Sequence, residues 1–253
     1  MRVAFVGKGG SGKSAIAGTF ARALARRGEP VLAVDSDPMP GLAFSLGIEA
    51  DDAPIPEEAV VERAEGDGGP RFRLRPGLGA AEAIERYAAV GPDGVRFLQL
   101  GKLRGHVGTL VRSQFAFRQI VEELPEGGWH LIGDLPGGTR QPFAGWGDYA
   151  RVILVVAEPS AKSLLSARRL TRLALAKRAP DAILAVASKV REPADVGWIG
   201  QRTGLEVVAA VPFDDELGAA ERAGLAPIDA APACPAVRAV ESLVDRLCEE
   251  RVT

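Results

Sequence analysis

Short apolar runs separated by helical patterns occupy most of the chain. The runs seldom alternate with polar residues, which is typical of parallel strands buried on both faces. Their regular exchange with helical segments predicts an α/β fold with a mostly parallel, twisted sheet of about seven strands and helices on both faces. The seven candidate strands are Arg2–Val6, Val31–Val34, Arg96–Leu100, Trp129–Ile132, Val152–Ala157, Ile183–Ala187 and Val207–Val211.

Three segments carry the clearest helical patterns. The first is predicted to begin near Lys13, since apolar residues recur every fourth position across Ile16–Leu24, and to stop at Gly28. Two further helices are predicted at about Ser160–Lys177 and Val237–Glu249. All three are long enough to cover a sheet face.

The segment Asp51–Gly94 is irregular, with several prolines and glycine runs. Within it, Arg71–Arg75 alternates arginine with apolar residues, which predicts an edge strand or ribbon rather than core. We interpret the segment as an insertion beside the candidate site, within a single domain that comprises residues 1–253.

Composition narrows the class of protein. The chain has 253 residues, 47% apolar and 25% charged, with a net charge of −2, so a general coat for DNA is disfavoured. No apolar run approaches the roughly 18 residues that span a bilayer, and no leader pattern precedes the first strand. Only two cysteines occur, which suits a reducing compartment, and we expect a cytoplasmic protein.

The loop after the first strand fits the phosphate-binding pattern G-x4-G-K-[ST] over Gly7–Ser14. A strand precedes it and a helix follows, as the pattern requires, so backbone N–H groups should converge on phosphate oxygens. Lys13 is expected to reach the β- and γ-phosphates, and the Ser14 hydroxyl to ligate Mg2+. The predicted cradle comprises Gly9, Gly10, Ser11, Gly12, Lys13, Ser14 and Ala15.

A second lysine, Lys8, lies inside the same loop. The form K-G-G-x-G-K-S resembles the deviant Walker A loop of the MinD/ParA-type ATPases, a P-loop NTPase group that includes the nitrogenase iron protein. The resemblance implies ATP and Mg2+ as cofactors and a homodimer that forms on ATP binding. In such a dimer, Lys8 would reach the nucleotide held by the partner subunit, as an arginine finger does.

Two carboxylate turns complete the resemblance. In the turn after the second strand, the family pattern assigns Asp37 to the attacking water and the metal, whereas Asp35 either supports Mg2+ through water or orders the loop. Asp134 ends a later strand and resembles the Walker B aspartate, so it is also a candidate for Mg2+. Gly137 or Gly138 would offer a backbone N–H to the γ-phosphate. Aromatic residues follow, and they indicate either a partner surface or core anchors: Phe143, Trp146 and Tyr149.

Recognition of the base is expected from the late strands. Ser188 and Lys189 stand where family members usually carry Asn-Lys, and serine lacks the paired donor and acceptor of the amide. Pro212, Phe213 and Asp214 resemble a turn whose backbone lines the adenine edge. The resemblance therefore favours ATP over GTP.

Within the family, Phe97–Gly105 resembles a stretch of the nickel-insertion ATPases of carbon monoxide dehydrogenase. Those proteins carry a C-x-C metal motif at about Gly108–Ser113, where this chain has no thiol. His106 lies nearby, but a lone histidine is a poor candidate for a ligand, and Cys234 and Cys248 are predicted to be packing residues. The resemblance thus extends to the ATPase and not to the metal cargo.

Three functions remain open at this stage. The first is an ATP-driven dimeric switch that matures or remodels a client protein, such as a metalloenzyme. The second is a positioning ATPase on DNA or a membrane; an acidic C-terminal helix speaks against the membrane, and DNA is unlikely but kept open by a basic cluster. The third is a small-molecule kinase or ligase, whose acceptor pocket the insertion would supply. The basic cluster comprises Arg168, Arg169, Arg172, Lys177 and Arg178.

Overall fold

The structure is a computed structural model, and it describes residues 1–37, 41–49, 55–64, 68–99, 107–125, 127–138, 147–177 and 180–249. For residues 107–110 and 177 it describes the backbone and not the side chain.

Ten strands lie within these ranges. In chain order they are β1 Arg2–Gly7, β2 Val31–Asp35, β3 Val60–Glu62, β4 Phe72–Leu74, β5 Ala89–Val90, β6 Arg96–Gln99, β7 His130–Asp134, β8 Val152–Ala157, β9 Ala182–Val190 and β10 Val207–Pro212. The seven predicted strands correspond to β1, β2 and β6–β10, so the strand count of the parallel sheet is confirmed. The short strands β3, β4 and β5 lie in or next to the predicted insertion.

Eight strands form one sheet in the order β10-β9-β8-β1-β7-β2-β6-β5. All neighbouring pairs are parallel except β5–β6, which is antiparallel. The carboxyl ends of the seven parallel strands therefore meet at one edge, where open α/β sheets bind their ligands. The predicted fold class is confirmed.

Nine α-helices lie within the described residues. They are α1 Lys13–Ala25, α2 Leu42–Leu46, α3 Ala80–Tyr87, α4 Val107–Glu123, α5 Ala161–Lys177, α6 Pro193–Thr203, α7 Asp215–Ala223, α8 Pro227–Ala230 and α9 Pro235–Glu249. Two hydrophobic cores separate them: α1, α2, α8 and α9 contribute to the core on one sheet face, and α3, α4, α5 and α6 to the core on the other. Helices thus cover both faces, as predicted.

The predicted ribbon at Arg71–Arg75 is present as β4, which pairs antiparallel with β3 outside the central sheet. Its exclusion from the core was wrong, because Phe72 and Leu74 are buried. Alternation gives the strand one apolar face, and that face packs near α4, where the Gln119 side chain accepts the Leu74 N–H at 2.7 Å.

Candidate functional site

The loop between β1 and α1 is curled by two left-handed glycines, Gly10 at φ +80° and Gly12 at φ +87°. The Ser11 N–H donates to the Lys8 carbonyl at 3.1 Å, which closes the turn. The first turn of α1 begins at once with Lys13, so its free N–H groups lie beside the loop. A left-handed turn against a helix N-terminus is an anion-binding concavity.

Lys13 and Ser14 both bind Asp134, the last residue of β7. The Lys13 Nζ atom lies 3.0 Å from one carboxylate oxygen, and the Ser14 hydroxyl donates to the other at 2.5 Å. Burial raises the pKa of Asp134, and Lys13 and Ser14 oppose that rise without cancelling it. The structure therefore brings together three residues that the sequence assigned to phosphate and Mg2+.

Asp35 orders the turn that follows β2. It is fully buried, and its carboxylate accepts the N–H groups of Asp37 at 2.9 Å, Gly41 at 3.1 Å and Leu42 at 3.0 Å. Burial, with the nearby charge of Asp134, raises the pKa of Asp35 to about 7. Of the two roles left open for Asp35, loop ordering is the one that these bonds support.

Asp37 is less buried and connects two loops. Its carboxylate accepts the N–H of Gly137 at 3.3 Å, so the turn after β2 touches the segment after β7. The Gly138 N–H donates to the Gly7 carbonyl at 3.4 Å, at the base of the phosphate-binding loop. The segment after β7 thus contacts both the turn after β2 and the first loop, at the carboxyl edge of the sheet.

These oxygen donors suit a hard cation. Mg2+ takes few protein ligands and keeps several waters, so one hydroxyl and one or two carboxylates suffice. Asp35 and Asp134 are buried carboxylates, and Lys13 is the cation that pairs with Asp134. A divalent ion at Ser14 and Asp134 would offset this excess of negative charge, so the residues present fit Mg2+.

Lys8 is held on the opposite side of the loop by Glu158, which sequence reasoning missed. The Lys8 Nζ lies 3.2 Å from one Glu158 oxygen, and Lys189 lies 3.7 Å from the other. Burial alone would raise the pKa of Glu158, but the bonds from Lys8 and Ser160 outweigh it and lower that pKa. The available signal was its position, directly after a strand that ends at the ligand edge.

The late strands close the other end of the site. Ser188 is buried, and its hydroxyl would lie 3.1 Å from a Cβ atom placed on Gly12, so it packs on the phosphate-binding loop. Lys189 adopts φ +57° and donates to the Gly10 carbonyl at 2.6 Å. The Arg191 guanidinium stacks 3.8 Å from the ring centre of Phe213. Both line a cavity of about 640 Å³, whose other lining residues are Glu158, Pro159, Ser160, Lys189, Glu192 and Asp195.

Two of the residues assigned to nucleotide binding have side chains that are used elsewhere. Asp214 caps α7 by accepting from Glu216 and Leu217, and it also accepts the Ala236 N–H at the start of α9. Ala15 is buried in α1. Any contribution of these two positions to a nucleotide therefore comes from their backbone.

Of the aromatic residues after Asp134, Tyr149 is buried and acts as a core anchor. Its hydroxyl would lie 1.5 Å from a Cβ atom on Gly133, so only glycine fits at that point of β7. Phe143 and Trp146 lie outside the described residues, as does His106. Cys234 is buried, and Cys248 packs against the same core, which confirms both as packing residues.

The phosphate-binding loop, the two carboxylate turns and the parallel sheet together define a P-loop nucleotide hydrolase. The chain belongs to the CobQ/CobB/MinD/ParA nucleotide-binding domain family, whose model matches residues 3–228, and it is an ATPase of that family. None of the described helices combines the length and apolar character needed to cross a bilayer.

Two relatives show similarity over most of the chain. The carbon monoxide dehydrogenase accessory protein CooC of Rhodospirillum rubrum is 31% identical, over 92% of each chain. An uncharacterized ATP-binding protein of Methanocaldococcus jannaschii is 29% identical, over 86% of this chain and 87% of its own. Among solved structures, the septum site-determining protein MinD of Pyrococcus horikoshii with Mg-ADP superposes with a TM-score of 0.71 at 19% identity. That superposition covers 97% of this chain and 94% of MinD. At this identity, the last match shows the fold alone.

Proposed function

We propose that this protein is a Mg-ATP-dependent homodimeric switch that assists the maturation or remodelling of a client protein. The observation that carries the proposal is the separation of two cations around one loop. Lys13 is buried and forms an ion pair with Asp134, whereas Lys8 is partly exposed and forms an ion pair with Glu158. The similarity to the CooC accessory protein supports a client rather than a small-molecule acceptor.

Each lysine is held by a carboxylate that a nucleotide can replace. Lys13 would exchange Asp134 for the β- and γ-phosphates of its own nucleotide, because a triphosphate carries more charge than one carboxylate. Lys8, about one-third exposed, would exchange Glu158 for the nucleotide of the partner subunit. The exchange at Lys8 requires a second copy of the chain, so the closed dimer and the catalytic state would form together.

The remaining residues hold the reacting groups. Ser14 and Asp134 would hold Mg2+, which neutralises charge on the phosphate oxygens. Asp37, at the boundary between two loops, would orient the attacking water and accept its proton. Since Asp37 also accepts the Gly137 N–H, the use of its carboxylate in catalysis would loosen the contact between these loops. Hydrolysis is thereby linked to movement at the edge of the sheet.

A bound transition metal is not part of the proposal. Within the described residues, no group of three or more histidine, cysteine or acidic side chains could hold one. The soft ligands that would select nickel or zinc are also missing, because both cysteines pack in the core. In this proposal the protein changes the conformation of its client, and any transition metal is bound by the client.

The test separates the two lysines from the water-positioning carboxylate. Lys8→Ala should bind ATP within about threefold of the unchanged protein but lose about a thousandfold in hydrolysis, the scale of an arginine finger. It should remain monomeric in ATP by light scattering. Asp37→Ala should form an ATP-bound dimer that persists and captures its client from extract when ATP, but not ADP, is present.

The matched control is Arg238→Ala, which removes an exposed cation from α9. It should hydrolyse ATP and dimerise normally. Normal turnover in Lys8→Ala would refute the role of Lys8 across subunits, and normal turnover in Asp37→Ala would remove Asp37 from the reaction.

A further inference from the structure

Helix α5 has an unusual charge. Its 17 residues include five lysines and arginines and no acidic residue. On α3 and α4, by contrast, Arg86 and Arg118 each pair with a glutamate four residues away. Within the part of the chain that the structure describes, no such pair exists for the exposed cations of α5. These are Lys162, Arg168, Arg169 and Arg172.

Two exposed leucines lie among these cations. Leu165 is 47% exposed and Leu175 is 62% exposed. With Arg168 and Arg172 they occupy positions i, i+3, i+7 and i+10, which share one side of a helix. We call these four residues the cationic stripe. The opposite side of α5 is buried in the core, so the stripe faces away from the sheet.

We propose that the cationic stripe is a docking surface for an acidic amphipathic helix of a partner protein. The two leucines, one at each end of the stripe, would contact apolar positions of that helix, and the two arginines between them would pair with its carboxylates. The proposal rests on the proposed function in one respect: it identifies the docked partner as the client protein.

The chemistry of the stripe distinguishes this partner from nucleic acid and from lipid. Phosphate contacts with DNA would use the arginines but leave the exposed leucines at both ends of the stripe without a role. A membrane-surface helix needs a broad apolar face, but the apolar face of α5 is already buried against the sheet. Two arginines with an exposed leucine on either side match a helix that has both acidic and apolar positions.

The first turn of α5 is connected directly to the residue that holds Lys8. Ser160 donates to the Glu158 carboxylate at 3.0 Å and accepts the Ser163 N–H at 3.3 Å. The Ser163 hydroxyl in turn accepts the Glu158 N–H at 3.1 Å. When Lys8 leaves Glu158, the carboxylate that accepts the Ser160 hydroxyl loses its ion pair with Lys8, so the charge next to the start of α5 changes. Docking on α5 should therefore differ between the ATP-bound and nucleotide-free states.

The experiment uses a synthetic amphipathic peptide with leucine and glutamate at helical spacing, and fluorescence anisotropy at low salt with nucleotide-free protein. The unchanged protein should bind it, and Arg168→Glu with Arg172→Glu should weaken binding at least about tenfold. A second peptide, with lysine in place of each glutamate, should bind more tightly to the double charge reversal than to the unchanged protein. The matched control, Arg222→Glu with Arg238→Glu, changes the net charge equally on α7 and α9 and should bind like the unchanged protein.

Equal binding of the acidic peptide to the double reversal and to the unchanged protein would overturn the proposal. Tighter binding to duplex DNA or to anionic vesicles than to the peptide would overturn it as well. The measurement needs no nucleotide, so it tests the docking surface separately from the ATPase. If the protein bound the peptide but not ATP, the proposed function would be contradicted and the docking surface would be supported.

Discussion

Helix α1 has buried charged residues at both ends, and the two ends differ in how completely these charges are paired. At its carboxyl end, Arg22 is buried and binds both Asp93 and Asp229, and Arg26 binds the same two carboxylates. Burial raises the pKa of Asp93, but hydrogen bonds from Arg22 and Arg26 outweigh that effect and lower it. At the amino end, Lys13 is the cation beside buried carboxylates, and the pKa of Asp35 rises to about 7.

The carboxyl end of α1 therefore serves the stability of the fold, and the amino end serves ligand binding. Two arginines on two aspartates form a satisfied cluster, which holds α1 to the turn before β6 and to α8. The amino end has more buried negative charge than its lysine offsets, so it gains from a divalent cation. A buried charge with a complete set of partners stabilises the fold, whereas an incomplete set indicates a ligand.

The largest effect is expected from Lys13→Ala. Removal of the cation that pairs with Asp134 should lower ATP affinity at least about a thousandfold, or about 4 kcal/mol, because the β- and γ-phosphates lose their partner. Calorimetry with Mg-ATP measures this. ATP binding within tenfold of normal would contradict the assignment.

At the carboxyl end, Arg22→Ala should lower the free energy of unfolding by about 3 kcal/mol, since it leaves two carboxylates without this buried partner. Urea unfolding measures the loss. At temperatures where the variant is folded, its ATP affinity should remain within about twofold of normal. A large loss of affinity with intact stability would mean that the two ends of α1 do not differ in role.

The pH dependence of Mg2+ binding sharpens the contrast. The pKa of Asp35 is raised above its unfolded value of 3.8, so the folded protein binds the extra proton, and stability is lost as pH rises toward about 7. Mg2+ favours the ionised carboxylates, so its stabilising effect should grow from pH 5 to pH 7 and level off above that. Thermal unfolding with and without Mg2+ tests this, and equal stabilisation at pH 5 and pH 8 would count against it.

The smallest effect is expected from Arg27→Ala. Arg27 lies just beyond α1 and pairs with Asp245, which is 60% exposed. Exposed ion pairs contribute between about 0 and 1 kcal/mol, so unfolding should change within that range and lose its difference at high salt. A loss comparable to that of Arg22→Ala would show that exposure does not distinguish these arginines.

Local sequence order was sufficient for the phosphate-binding loop and both carboxylate turns. Lys13 and Asp37 come soon after a short apolar strand and Asp134 ends one, and parallel strands bring their carboxyl ends together. The Arg22 cluster could not be read in this way, because its partners lie 71 and 207 residues away. Glu158 was missed for a related reason: its position after β8 places it at the ligand edge, but its partner Lys8 lies 150 residues away in the sequence.

The sequence predicted least well how the residues expected to recognise the base are arranged. Ser188 was noted as a departure from asparagine, but its packing on Gly12 depends on how close β9 lies to the first loop. The stack of Arg191 on Phe213 depends on the register of β9 and β10, which has an irregularity at Val211 and Pro212. Spacing along the chain does not encode such a shift.

Gly18 has a consequence for how the two halves of the site can shift relative to each other. A methyl group at this position of α1 would lie 2.4 Å from the Ser45 Cβ and 2.9 Å from its carbonyl carbon on α2. At Gly18 and Ser45 the two helices therefore pack closely, and no side chain of α1 lies between their backbones. We therefore expect α1 and α2 to move together as one rigid unit when the nucleotide is exchanged.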